Sequence, residues 1–227
     1  MSKTAVLIDG GFYLKKASSA LGQKDAPERA KEIWDYCIKH IEKSKEKDRE
    51  DRYLYRIFYY DCPPLDCANI YHPFHKRNIN LKVTDTYKWK IELLEELKKK
   101  RKIALRLGEL LKEQAYYTLN NGKTLRKLCR KEISIDDLKE TDFSLAVRQK
   151  GVDMKIGLDI AALAYKKQVD QIVLIAGDSD FVPAAKLARR EGIDFILDPL
   201  YMPIKANLHE HIDALRTVDD RFKNKRF

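Results

Sequence analysis

Gln171-Ile-Val-Leu-Ile-Ala-Gly-Asp-Ser-Asp-Phe181 reads as a continuous apolar strand, Gln171 to Ala176, that runs straight into a glycine and two aspartates. A strand with no polar alternation is buried on both faces, and such strands belong to parallel sheets covered by helices on each side. Upstream, Met154 to Lys167 carries Ile156, Ile160, Leu163 and Ala164 on one helical stripe. Downstream, Phe181 to Glu191 predicts a helix closed by Gly192, and Ile193 to Leu197 a strand stopped by Asp198-Pro199. Lys205 to Ala214 predicts a final helix. At the other end of the chain, Ala5-Val-Leu-Ile8 is a short buried strand ended by Asp9-Gly10-Gly11. Helices are expected over Phe12–Leu21 and Pro27–Ser44, the second introduced by Asp25 as N-cap. Tyr53 to Tyr60, rich in aromatic and β-branched residues, is a further strand ending at Asp61. This alternation implies parallel strands joined by right-handed crossovers, so the expected fold is a three-layer α/β sandwich with a mainly parallel sheet.

The middle of the chain is less regular. Lys45–Arg52 is charged and expected to be solvated, and Ile79 to Val83 suggests a short strand. Trp89 to Lys100 places Ile91, Leu94 and Leu97 on one helical face. Lys102 to Leu107 fits a strand or a continued helix, the strand being favoured, and Leu110 to Arg130 is basic and partly helical, interrupted at Asn121-Gly122. A single domain over residues 1–227 is expected, with residues 86–148 as a basic, partly helical insertion.

Bulk composition narrows the function. Hydrophobic residues make up 44%, enough for a packed core, and no apolar run approaches the length of a membrane span. The apolar start lacks the length and cleavage site of a signal peptide, so a cytoplasmic location is the expectation. Four cysteines do not make a disulfide framework in 227 residues. The formal net charge of +10 favours polyanionic partners. Between Thr86 and Lys131 there are 14 Lys/Arg against 5 Asp/Glu, nearly the whole imbalance, and the tail Arg221–Phe227 adds a second basic cluster.

Ligand sites in open parallel sheets form beyond the carboxyl ends of the strands. Asp9 follows the first strand there, and Asp178 and Asp180 follow the strand over 172–176. Asp153 opens a helix after Lys150-Gly151-Val152. If those strands are neighbours, four carboxylates converge on one volume, where mutual repulsion calls for a cation. Hard divalent ions such as Mg2+ or Mn2+ prefer oxygen ligands and support phosphodiester hydrolysis without a protein nucleophile. Helix capping and dipole compensation explain each aspartate singly; their conjunction at strand ends favours a site.

Val6-Leu-Ile-Asp-Gly-Gly11, Gln149-Lys-Gly-Val-Asp-Met154 with Asp159 beyond it, and Leu174-Ile-Ala-Gly-Asp-Ser-Asp-Phe181 together resemble the LabA-like NYN family, a branch of the PIN-like nucleases. The resemblance covers roughly residues 3–11 and 149–199. It implies a PIN-like Rossmannoid fold and a metal-dependent ribonuclease, with Asp9, Asp153, Asp178 and Asp180 as catalytic and metal-binding residues and Mg2+ or Mn2+ as cofactor. Asp159 matches a recurrent family position. On an ideal helix it lies about 240° round from Asp153, which favours a structural hydrogen bond or an outer contact over direct ligation. Many PIN-like relatives carry a polar Asn shortly after the first Asp-Gly, where this chain has Gly11-Phe12-Tyr13. Homodimers are common among PIN-like proteins, and the oligomeric state stays open.

Tyr87, Trp89, Tyr116 and Tyr117 interleave with lysines, a pattern suited to stacking single-stranded RNA, although these rings also suit packing of the insertion. Lys88, Lys90, Arg126, Lys127 and Lys150 are the candidate nucleic-acid contacts, with RNA the expected partner and single-stranded DNA the alternative. Cys62, Cys67, His72 and His75 form a Cys-x4-Cys-x4-His-x2-His array that invites a zinc reading, but a surface loop with reduced thiols is favoured. Two competing functions remain. One is a non-catalytic nucleic-acid-binding module on the same fold. The other is a haloacid-dehalogenase-like phosphatase, suggested by Gly177-Asp178-Ser179-Asp180, which needs an acid two residues after Asp9 where Gly11 stands.

Overall fold

The computed structural model describes residues 2–42, 52–120 and 122–223. In chain order the strands are β1 (Ser2–Asp9), β2 (Arg52–Asp61), β3 (Ile70–His72), β4 (Arg77–Ile79), β5 (Ile103–Leu107) and β6 (Glu109–Leu110), then β7 (Tyr116–Leu119), β8 (Phe143–Ala146), β9 (Gln149–Lys150), β10 (Gln171–Ile175), β11 (Asp194–Asp198) and β12 (Ala214–Leu215). The helices are α1 (Gly10–Leu21), α2 (Ala26–Lys39), α3 (Asp85–Lys98), α4 (Gly122–Cys129), α5 (Val152–Tyr165), α6 (Val182–Arg190) and α7 (Ala206–His209). The chain divides into two compact units: residues 1–62, 92–108 and 151–227 form the first, and residues 63–91 and 109–150 the second.

The first unit is a PIN-like Rossmannoid α/β sandwich. Its sheet has the order β12-β11-β10-β1-β2-β5, with every neighbouring pair parallel. Ala5 to Ile8 of β1 and Ile172 to Ile175 of β10 are wholly buried, as two-sided helical cover requires. Helix α1 packs on β1 and β2, while α5 packs on β2, β5 and α6. Tyr13 of α1, Tyr36 of α2 and Phe222 near the carboxyl end form a ring cluster with centroids 5.4–5.9 Å apart. From β1 the chain builds outward through β2 to β5, then returns to the other side of β1 and builds outward through β10, β11 and β12. The strand order therefore reverses between β1 and β10, the point where open α/β sheets form their ligand crevice.

The second unit is built from short antiparallel pairs, β3 with β4, β6 with β9 and β7 with β8. Its core is small: Leu65, Cys67, Ile70 and Leu81, with Ile79, Leu110, Ala115, Tyr117, Leu145 and Val147 packed against them. Helix α4 buries no residue.

Most boundaries follow the sequence pattern, and the departures have physical causes. Lys205–Ala214 is helical only over Ala206–His209, because Ala214 and Leu215 extend to pair with Ile196 and Leu197 at the sheet edge. Leu110–Arg130 is helical only from Gly122; Tyr116–Leu119 instead pairs with Phe143–Ala146, a partner distant in sequence. Ile79–Val83 is the end of β4 followed by a 3-10 turn, which Asn80 caps by accepting from the Lys82 N–H at 2.9 Å. The charged stretch from Lys45 lies outside the described residues apart from Arg52, which opens β2. Among the described residues, no helix is long and apolar enough to cross a membrane.

A candidate active site of strand-end aspartates

Asp9 is the last residue of β1 and the N-cap of α1, where its Oδ1 accepts the Phe12 N–H at 3.0 Å. Capping and site membership are thus not alternatives for this residue, since a carboxylate has two oxygens and the cap uses Oδ1. The neighbouring strand pairs Asp9 with Tyr60, which puts Asp61 at the carboxyl end of β2 beside it. Gly10 makes this approach possible: a Cβ there would lie 2.6 Å from the Tyr59 ring and 2.7 Å from Asp61 Oδ2.

On the other side of β1, Ile8 pairs with Ile175, so the β10 loop emerges next to Asp9. Gly177 lies against Phe12, and a Cβ on it would meet that ring at 2.5 Å. Asp178 follows at once, its Oδ1 accepting the Asp180 N–H at 3.1 Å. Buried Phe181 anchors the 3-10 turn that presents Asp180 to solvent. Asp153 stands in the first turn of α5, after Gly151 in a left-handed conformation (φ 85°), and α5 packs against the Asp180 turn.

The carboxylates feel one another. Burial, then repulsion from Asp153 and Asp61, pushes the Asp9 carboxyl from 3.8 up to about 6. Burial, then Asp178 and Asp180, also raises Asp153. Asp153 is therefore the hinge of the arrangement, coupled to Asp9 on one side and to the Asp178–Asp180 turn on the other. Contact is looser than a preformed cage: among the described residues, no three of these carboxylates bring ligand oxygens within 4.8 Å of one another.

The other strand-end acids are spoken for. Asp61 Oδ2 accepts from Tyr59 OH at 2.9 Å and Oδ1 from the Cys62 N–H at 2.7 Å. It acts on Asp9 as a negative neighbour, and the sequence signal for it, an acid at the carboxyl end of a strand, is the one that marks Asp9. Asp198 at the end of β11 is fully buried among Tyr36, His40, Leu200 N–H and Thr217, and serves packing. Asp159 accepts from Tyr60 OH at 2.8 Å and Arg106 Nε at 2.9 Å, so its partners are protein groups.

The five candidate nucleic-acid residues all fall in the second unit. Lys88, Arg126, Lys127 and Lys150 are exposed, and Lys90 is half-buried. Tyr116 is exposed, whereas Tyr117 is half-buried and its ring lies tilted against that of His72, with centroids 4.1 Å apart. Much of the basic surplus lies elsewhere. Lys98 to Lys102 precede β5 and so sit at the amino edge of the parallel sheet, opposite the aspartates. In the tail, Arg221 is neutralised by Asp219, and the last four residues lie outside those described.

The Cys-x4-Cys-x4-His-x2-His array does not assemble. Cys62 and Cys67 are buried thiols, which also corrects the expectation of a surface loop, and Cys67 belongs to the apolar core of the second unit. Among the described residues, the group whose donor atoms all lie within 4.8 Å of one another is His72, His75 and Glu140. No sequence signal pairs Glu140 with histidines some 65 positions earlier.

The crystal structure of a protein of unknown function from Vibrio parahaemolyticus is similar to this chain at 14% identity and a TM-score of 0.46, covering 97% of this chain and 95% of that one. Among curated proteins, none matches. The NYN domain family matches residues 65–207, well over half of the chain, a span that takes in Asp153, Asp178 and Asp180. The chain belongs to the NYN domain family, within the PIN-like nuclease superfamily.

Proposed function

We propose that this protein is a metal-dependent ribonuclease that hydrolyses phosphodiester bonds of single-stranded RNA with Asp9, Asp153, Asp178 and Asp180. The observation that carries the reading is positional: Asp9 ends β1 between Asp61, at the end of β2, and the β10 loop that leads to Asp178, and burial and repulsion from neighbouring acids raise its carboxyl. A cation relieves that repulsion, and the donor set, carboxylate oxygens alone, suits Mg2+ or Mn2+. The open spacing fits ions that keep several of their own waters. When bound, such an ion supplies positive charge to the scissile phosphate and makes water acidic enough to attack at neutral pH.

The chain's own residues do the rest. Asp9 offers its second oxygen from the strand end while its capping oxygen fixes the side chain. Asp153 is held by α5, whose position after left-handed Gly151 aims the first turn at the Asp178 loop. Asp178 is oriented by the Asp180 N–H, which its Oδ1 accepts. The lysines and arginines of the second unit supply phosphate contacts, and exposed Tyr116 a stacking face.

The test is cleavage of labelled single-stranded RNA in Mn2+ by the wild type and by Asp178→Asn, with single-stranded DNA alongside. Loss of about 100-fold or more in the variant is expected; retained cleavage refutes the mechanism. A second reading, a nucleic-acid-binding module without hydrolysis, is favoured by the looser spacing of the aspartates, no three of which bring ligand oxygens within 4.8 Å of one another among the described residues. Calorimetry separates the two, because a module of that kind binds RNA but takes up no Mn2+ at these aspartates.

A further inference from the structure

His72 closes β3, and His75 lies in the turn that leads to β4, with Lys76 in a left-handed conformation (φ 51°) just after it. The two imidazole rings sit 4.6 Å apart, centroid to centroid. Glu140 opens the 3-10 turn before β8, and its Oε1 lies 3.0 Å from His75 Nε2. Each of the three residues offers a donor atom within 4.8 Å of the other two.

His72 is the telling member. It is only 4% exposed, and its Nδ1 is buried without a hydrogen-bond partner among the described residues. Buried polar atoms are normally satisfied, so an enclosed, unpaired imidazole nitrogen beside two further ligand-type groups asks for an explanation.

We infer that His72, His75 and Glu140 form a divalent transition-metal site, separate from the aspartates, that takes zinc and clamps the β3–β4 hairpin to the turn leading into β8. Two imidazoles and one carboxylate match the ligands zinc accepts, with a fourth position for water. Mg2+ is disfavoured by the nitrogen donors. The clamp also suits the unit that carries it. Four buried apolar residues and a rim of half-buried ones make a small core, and cores of that size are commonly supplemented by a metal or disulfides. The cysteines that a sequence reading would add to the ligands are instead taken up by packing.

The experiment titrates the chelator-stripped full chain with Zn2+ alone, followed by calorimetry and by thermal unfolding. Wild type and Asp178→Asn are expected to bind one equivalent at this site and unfold at higher temperature with Zn2+. His75→Asn and Glu140→Gln are expected to lose at least tenfold in affinity and most of the thermal shift. Both substituted side chains face solvent, 32% and 61% exposed, and circular dichroism of the metal-free variants checks that they fold as the wild type does. Equal Zn2+ affinity in wild type and both variants overturns the inference. So does loss of Zn2+ binding in Asp178→Asn with retention in His75→Asn, which assigns the ion to the aspartates. Failure of the wild type to bind Zn2+ also overturns it.

Discussion

Replacing Asp9 by asparagine should stabilise the metal-free protein while removing its response to metal. Asparagine keeps the shape of the side chain and an oxygen for the Phe12 N–H, and the two residues cap helices about equally well. What disappears is the charge, whose carboxyl is lifted from 3.8 to about 6 by burial and by Asp153 and Asp61. At about 1.36 kcal/mol per unit, folding disfavours the ionised form by about 3 kcal/mol at neutral pH. Asp9 keeps some solvent exposure, and its charge also attracts the start of α1, so the net gain is about 1–2 kcal/mol. A chain of this size shifts by roughly 2–4 °C per kcal/mol, which gives roughly 2–8 °C in chelator at neutral pH. The pH dependence has a definite sign. The folded state holds the Asp9 proton up to about 6 and the unfolded state only to about 3.8, so wild-type stability falls as pH rises through that window. The advantage of the variant is therefore absent at low pH and complete above about 6. His40 titrates with the opposite sign, because burial lowers its proton affinity and the unfolded chain takes up the proton first as pH drops below 6.5. The difference between the two proteins, measured by thermal unfolding across pH, isolates Asp9. Adding Mn2+ at a hundredfold excess over its dissociation constant should stabilise the wild type by about 2.7 kcal/mol and the variant far less. An Asp9→Asn protein that melts at or below the wild-type temperature in chelator would refute the reasoning. Equal Mn2+ shifts in both would do the same.

Asp159→Asn weakens the contacts from Arg106 and Tyr60, so stability should fall by about 1 kcal/mol while Mn2+ affinity by calorimetry stays put. A loss of about tenfold or more, typical of residues that orient metal ligands, would move Asp159 to the ion. Gly10→Ala drives a methyl into Tyr59 and Asp61 and should cost about 1–3 kcal/mol in chemical denaturation; an unchanged midpoint would show that the strand ends yield. Charge reversal at Arg126 and Lys127 should weaken RNA binding and flatten its salt dependence by about one unit of slope per lost phosphate contact. Lys99→Glu, at the amino edge of the sheet, should change neither quantity, and the opposite pattern would relocate the RNA path.

Much of the frame was legible because local chemistry enforces it. Unbroken apolar runs at Ala5–Ile8 and Gln171–Ala176 have no alternative to two-sided burial, and Asp25 caps α2 by accepting the Glu28 N–H as its position suggested. The misread segments depend on partners far along the chain. Tyr116–Leu119 became a strand through Phe143–Ala146, and the carboxyl end of the supposed last helix was captured by β11. Local propensity is weak against such pairing.

The sequence by itself determined the parallel α/β class, the basic character and the aspartates at strand ends, because each is written in consecutive residues. It left open which strands are neighbours. Tertiary structure decided that β1 lies between β10 and β2, which sets Asp9 between the β10 loop and Asp61, where burial and repulsion from Asp153 and Asp61 raise its carboxyl. It also separated Cys67 from the histidines and supplied Glu140 in its place. Side-chain chemistry is local, but electrostatic coupling and ligand geometry depend on distances between segments that only the folded chain brings together.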